Sequence, residues 1–241
     1  MDAIRIDRKH VKMIAHRGLS GIELENSCAA FVAAGNRDYW GIETDVHQTA
    51  DGKFVIFHDD RTGRVCQTNL VVEETDFETL RALPLWEVRN NNTLRVDLKM
   101  PIPEEYFAIC RRYGKVAVFE LKNPMSKELV AQLVALAEQN AGLENVVFIS
   151  FCFQNLVYVR EVSETAACQF LLDRTMTDEE LADMVKYRFG LDIRHTYVTP
   201  ELVETIHNAG LELNCWTVDD PVRGAELVEM GVDYITSNIL Y

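Results

Sequence analysis

Short apolar runs rich in β-branched residues alternate with longer amphipathic runs along almost the whole chain, the pattern of repeated strand–helix units and a parallel sheet. The runs predict strands at 11–15, 40–46, 115–121, 146–150, 168–172, 190–194, 211–218 and 232–236. Between them the spacing predicts helices at 26–35, 103–113, 126–140, 153–162, 177–188, 199–209 and 221–230. Pro200 after Thr199 and Pro221 after Asp219-Asp220 suit helix starts, and Gly210 and Gly231 suit helix stops. Eight such units in 241 residues predict a closed (β/α)8 TIM barrel, an α/β fold, over an open sheet. Residues 1–241 are expected to form a single domain.

One stretch breaks the alternation. Residues 47–102 separate the second strand from the second long helix, far beyond the usual ~2 to 6 residues of a βα loop. The stretch opens with a turn, Thr49-Ala50-Asp51-Gly52, followed by Phe54-Val55-Ile56-Phe57, which predicts a hairpin. Residues 60–100, with Asn90-Asn91-Asn92 inside them, read as an irregular cap. Because it follows the C-terminal end of a barrel strand, this small insertion is expected over the C-terminal face, where such barrels carry their chemistry.

The polar residues gather at that same face. His16-Arg17 follows the first strand, Glu43 and Asp45 end the second, and Glu120 and Lys122 end the third. Ser150, Trp216-Thr217 and Thr236-Ser237 close later strands. Positions i and i+2 of a strand share a face, so Glu43 and Asp45 point together, as do Glu120 and Lys122. The flanks of the first pair, Trp40-Gly41-Ile42 and Val46, are apolar. Inward carboxylates are costly unless neutralised. Three hard oxygen donors, Glu43, Asp45 and Glu120, therefore point to a divalent cation, Ca²⁺ or Mg²⁺.

His16 and His58 each head a motif at this face, and imidazole titrates near neutral pH, so the two permit one general acid and one general base, in either order. His10, His47, His195 and His207 read as structural. Arg17 offers a fork for phosphate oxygens. Lys122 either pairs with Glu120 or makes a second phosphate contact. Glu25-Asn26-Ser27 reads as a helix start with Asn26 as its cap, and Glu25 as possible support for the site. Trp216 is either a core aromatic or a wall of an alcohol pocket, and Ser150 is similarly open between packing and support. Together these residues suit metal-assisted cleavage of a phosphate ester.

Composition narrows the substrate further. With 38 acidic against 24 basic residues the formal charge is -14, which repels nucleic acid and anionic lipid. An anionic small molecule must then meet local positive charge, which Arg17, Lys122 and a bound metal can supply. Six cysteines are scattered without the short paired spacing of zinc or thioredoxin-type sites and read as reduced core residues. The first residues carry no apolar signal, and no run approaches the ~20 apolar residues of a membrane span. A cytoplasmic enzyme without stable membrane insertion is expected, of unspecified oligomeric state.

The ordered set His16-Arg17-Gly18, Glu25-Asn26-Ser27, Glu43-x-Asp45, Asp51-Gly52, His58-Asp59, Glu120-x-Lys122, Ser150-Phe151, Trp216-Thr217-Val218 and Thr236-Ser237 resembles the glycerophosphodiester phosphodiesterases. The resemblance runs from His16 to about Ser237. It implies a (β/α)8 barrel with an insertion after the second strand, and a Ca²⁺ or Mg²⁺ ion on Glu43, Asp45 and Glu120. It likewise implies His16 and His58 as the acid/base pair, Arg17 and Lys122 on phosphate, and Trp216 at the alcohol. The expected reaction turns a glycerophosphodiester into sn-glycerol 3-phosphate and an alcohol. Alternatives are a phospholipase-type lipid phosphodiesterase and a non-catalytic phosphodiester-binding barrel. The sequence departs from the family pattern at Leu24, where proline is usual, at Ser27 for threonine, at Asp219 for asparagine, and at the exit Thr236-Ser237-Asn238.

Overall fold

The computed structural model describes residues 2–87 and 93–241. Its elements in chain order are β1 Lys12–Ala15, α1 Cys28–Gly35, β2 Gly41–Gln48, β3 Phe54–Ile56, α2 Phe77–Arg81, β4 Leu85–Glu87 and β5 Thr93–Arg95. They continue as α3 Pro103–Tyr113, β6 Val116–Leu121, α4 Lys127–Ala141, β7 Val146–Ser150, α5 Phe153–Val162 and β8 Ala167–Leu172. The last are α6 Asp178–Tyr187, β9 Gly190–Arg194, α7 Pro200–Asn208, β10 Leu213–Trp216, α8 Pro221–Met230 and β11 Tyr234–Ser237.

Eight parallel strands run in the order β1, β11, β10, β9, β8, β7, β6, β2, and β1 pairs back onto β2, so the sheet closes as a barrel. The expected fold class is the observed one. Side chains on one face of each strand, with Phe119, Phe148 and Ile193 among them, pack outward against the helices in the main core. Ile14, Val118, Val147, Ile149, Leu171 and Tyr234 point the other way and fill the barrel interior. This two-sided burial explains why the strands read as nearly continuous apolar runs. It also makes each polar inward residue conspicuous.

The helix signals act as their chemistry requires. Thr199 accepts the Leu202 amide ahead of Pro200, Asp220 accepts the Val222 amide ahead of Pro221, and Gly231 closes α8 in the left-handed region. The 211–218 run is shortened at both ends to β10, and β11 is shifted two residues along from its predicted start.

The stretch after β2 is more ordered than an irregular cap. β3 pairs antiparallel with β2, Val46 opposite Ile56 and Gln48 opposite Phe54, as the hairpin reading expected. Gly52 supplies the turn with φ +78°. The residues beyond form a short helix, the antiparallel pair β4–β5 and a small apolar cluster of their own, with Val55, Phe57, Val65, Cys66, Leu80 and Met100. Its apolar residues are unevenly spaced, from adjacent Val65-Cys66 to widely separated Leu85 and Met100, so they form a cluster without giving a helical or strand period in the sequence. Asn90, Asn91 and Asn92 lie outside the described residues. All six cysteines are free, four of them buried. No helix among the described residues is long and apolar enough to cross a membrane.

Candidate active site

The first strand ends in a tight left-handed turn. The His16 amide donates to the Ser237 carbonyl at 2.9 Å, tying β1 to β11 at the barrel mouth. Arg17 and Gly18 then take φ of +54° and +75°. A Cβ on Gly18 would lie 2.7 Å from Ala30, so the turn approaches α1 as only glycine allows. The conformation aims the Arg17 amide at the next strand, where it donates to Glu43 Oε2 at 2.7 Å.

Parallel pairing sets Asp45 of β2 beside Glu120 of β6, with Glu43 one inward step below. Glu43, Asp45 and Glu120 are 3%, 1% and 7% exposed, and their oxygens lie within 4.8 Å of one another. The loop before α1 fixes one of them. Asn26, at φ +49°, donates from Nδ2 to Asp45 Oδ2 at 2.7 Å while its Oδ1 accepts the Thr44 hydroxyl. Asn26 is therefore not the helix cap. Ser27 takes that role, accepting the Ala30 amide, because the left-handed turn at Asn26 directs its side chain into the barrel.

Asp45 Oδ1 accepts no hydrogen bond, although the Lys122 ammonium lies 3.3 Å away. Lys122 Nζ also sits 2.8 Å from Glu120 Oε1. Burial opposes the Asp45 charge, but Lys122 and Arg17 outweigh it and hold this carboxyl below the usual range. Burial, then the Asp45 charge, pushes Glu120 up to about 7 and Glu43 well above its ordinary value. Three crowded carboxylates, one of them with an orphaned buried oxygen, fit a hard divalent cation, whose charge would remove the conflict.

His16 and His58 are held from different sides. His16 Nδ1 lies 2.8 Å from Asn238 Oδ1, an oxygen that also accepts the Ser20 hydroxyl, so Nδ1 carries the hydrogen and Nε2 is left with its lone pair. Burial first, and the Arg17 charge next, push His16 down to about 4, leaving it neutral at pH 7. His58, from the insertion, has Nδ1 2.6 Å from Asp59 Oδ1. Its backbone carbonyl lies 3.3 Å from Nε2 of the buried His47, so a histidine read as structural supports this segment.

A continuous ionic chain joins the two segments. Arg17 donates to Glu25 at 2.8 Å, Arg64 donates to both Glu25 oxygens at 2.7 and 2.6 Å, and Arg64 Nε donates to Asp59 at 2.7 Å. Asp59 in turn holds His58. Burial disfavours the Glu25 charge, yet its hydrogen bonds to Arg64 and the neighbouring Arg17 bring it down to about 2. A carboxyl lowered in the folded state stabilises fully above its unfolded value of about 4.5, and the contribution is lost as pH falls through about 2. Arg64→Met should leave the barrel folded but lower kcat roughly 10- to 100-fold, by freeing the Asp59–His58 pair. Arg64→Lys should not rescue it, since an ammonium cannot bridge two carboxylates as a fork does. Steady-state kinetics with a melting curve check this, and an unchanged kcat for Arg64→Met would remove the positioning role.

These groups surround a cavity of about 120 Å³ at the C-terminal face, lined by His16, Arg17, Glu43, His58, Glu120 and Trp216 among others. Trp216 donates from its indole to the Asp192 carbonyl and meets Phe151 edge-on, with ring centroids 5.6 Å apart. Trp216 is thus a wall of this cavity. Ser150 does not line it. Its hydroxyl donates to the Leu121 carbonyl and accepts from Asn155, fixing the end of β6 next to Lys122. A wider depression of about 450 Å³ at the opposite end, with Trp40, Val116 and Tyr234 in its walls, lies away from this cluster.

Residues 16–239 match the glycerophosphoryl diester phosphodiesterase family, and the chain belongs to it. A glycerophosphodiester phosphodiesterase of Bacillus subtilis is 27% identical over 244 residues, spanning 93% of this chain and 82% of the relative. One from Caldanaerobacter subterraneus is 25% identical over 228 residues, spanning 94% and 93%. Among solved structures, an Oleispira antarctica phosphodiesterase in complex with the product sn-glycerol-3-phosphate superimposes with a TM-score of 0.86 at 25% identity, covering 95% of this chain and 93% of that one. The chain is accordingly an enzyme of the phosphoric diester hydrolase class.

Proposed function

We propose that this site cleaves glycerophosphodiesters to sn-glycerol 3-phosphate and an alcohol, with Ca²⁺ or Mg²⁺ held by Glu43, Asp45 and Glu120. The reading is carried by one observation above the others: of three clustered buried carboxylates, Glu43 and Glu120 line a small cavity together with two differently held histidines and an arginine, and Asp45 lies directly behind them. The bound cation would supply Lewis-acid polarisation of the phosphate and ease deprotonation of a nearby hydroxyl. Arg17, whose buried Nε makes no hydrogen bond, can turn that donor to a phosphate oxygen, and Lys122 adds positive charge beside it. We read residues 1–241 as one barrel unit acting on a small molecule, with the insertion contributing His58.

The histidine environments favour an order for proton transfer. His16, neutral with Nε2 free, accepts the proton of the attacking hydroxyl. His58, lining the cavity and held by Asp59, donates a proton to the departing alkoxide. No activated serine or cysteine stands among the cavity residues: Ser150 is spent on Leu121 and Asn155. The glycerol 2-hydroxyl is the better nucleophile, because it is already tethered next to phosphorus. Its oxygen bonds to phosphorus as the phosphorus–alcohol bond breaks, giving a 1,2-cyclic phosphate that water reopens with the histidine roles exchanged.

Analogues with the 2-hydroxyl removed or methylated should therefore bind with similar affinity yet turn over many-fold more slowly. Competition assays paired with initial rates test this. Cleavage of a 2-deoxy analogue at the parent rate would replace the route by direct attack of water.

A further inference from the structure

β9 carries an inward acidic residue that the chemistry above does not use. Asp192 is 2% exposed, flanked by Leu191 and Ile193 on the outward face, and lines the cavity together with His16, Glu120 and Trp216. No hydrogen bond reaches its carboxyl group among the described residues, and its Oδ1 is buried without a partner. The neighbouring donors are already engaged. Asn214, its register partner on β10, donates to Gln169 and accepts from Thr236, while the Trp216 indole is spent on the Asp192 backbone carbonyl. On the other side its register partner is Leu171, which offers no polar atom. A buried carboxyl left without a partner costs free energy, and a hydroxyl-bearing ligand in this cavity can offset it.

We propose that Asp192 is a substrate-binding residue whose carboxyl group takes a hydroxyl of the glycerol moiety, so that the cavity selects a polyol phosphate over an alkyl phosphate of equal length. This rests on the phosphodiesterase reading. A carboxyl group in either protonation state accepts a hydrogen bond from a hydroxyl, and a hydroxyl brings its own donor. The rest of this wall, Ile149, Leu171 and the Phe151–Trp216 pair, is apolar and suits the carbon chain between hydroxyls. A cationic leaving group fits less well. Arg17 lines the same small cavity, and the two aromatic rings meet at 88° instead of opposing faces around a cation.

The test is titration calorimetry of the metal-loaded protein with sn-glycerol 3-phosphate and with n-propyl phosphate, which keeps the three carbons and lacks both hydroxyls. The unsubstituted protein should prefer glycerol 3-phosphate by roughly 10- to 100-fold. Asp192→Leu should erase the preference while leaving the affinity for propyl phosphate in place, and Asp192→Asn, which can still accept and donate, should keep part of it. Turnover of glycerophosphocholine and glycerophosphoglycerol by Asp192→Leu should fall by equal factors. Retention of the preference in Asp192→Leu, equal weakening of both phosphates, or a loss confined to the choline diester would overturn the assignment. Absence of any preference in the unsubstituted protein would overturn it without any variant. Failure of the unsubstituted protein to bind either phosphate or cleave either diester would instead remove the phosphodiesterase reading on which it rests.

Discussion

Asp45→Asn should abolish turnover, lowering kcat by at least ~10³, while the protein remains folded. The oxygen that Asn26 holds at 2.7 Å keeps its place in the variant, because an amide oxygen accepts the same bond. The orphaned Oδ1 position becomes an amide nitrogen, a donor where the site needs a hard anionic ligand. Glu43→Gln and Glu120→Gln should have effects of the same kind, and chelation of the unsubstituted protein should mimic all three. Added Ca²⁺ or Mg²⁺ should restore the chelated protein and not Asp45→Asn. Initial rates together with direct metal content provide the check, and full turnover in metal-free protein would exclude the metal role.

His16→Ala and His58→Ala should each lower kcat by roughly 10² to 10⁴ with metal content retained. The two should differ in pH dependence. Activity that needs His16 neutral is present above its pKa and lost as pH falls through it, so the acid limb belongs nearer about 4 than the ordinary 6.5. That limb should vanish from the residual activity of His16→Ala. His10→Ala should be nearly silent. Near-normal turnover of His58→Ala would mean that the insertion supplies no proton-transfer group.

The barrel was legible because each strand is buried on both faces, so its apolar run stood out, and because proline and glycine punctuate the helices between. The carboxylates were legible for a related reason. Strand alternation puts Glu43 and Asp45 on one face, and parallel register then fixes Glu120 beside Asp45. Asn26 was misassigned because a left-handed backbone angle, which spacing does not reveal, turns its side chain to Asp45 and leaves the cap to Ser27. Arg64 was hidden by distance: its partners, Glu25 and Asp59, belong to different segments that only the folded insertion brings together. Asp192 could have been found. An acidic residue between Leu191 and Ile193 in a predicted strand obeys the same alternation that exposed Glu43 and Asp45, but Gly190, two positions before it, has no side chain, and Arg194, two positions after it, is exposed and reads as an ordinary solvated strand end. Lys122 was left between two readings, and its ammonium is found against both Glu120 and Asp45.

The central claim is that this cavity breaks the bond between phosphorus and the leaving alcohol and keeps the phosphate on glycerol. Phosphorus NMR of the metal-loaded protein with glycerophosphocholine tests it most directly. The account predicts conversion to sn-glycerol 3-phosphate with free choline, passing through a transient glycerol 1,2-cyclic phosphate, and no conversion by Asp45→Asn. Phosphocholine with free glycerol, or no reaction across a range of glycerophosphodiesters in Ca²⁺ or Mg²⁺, would contradict it.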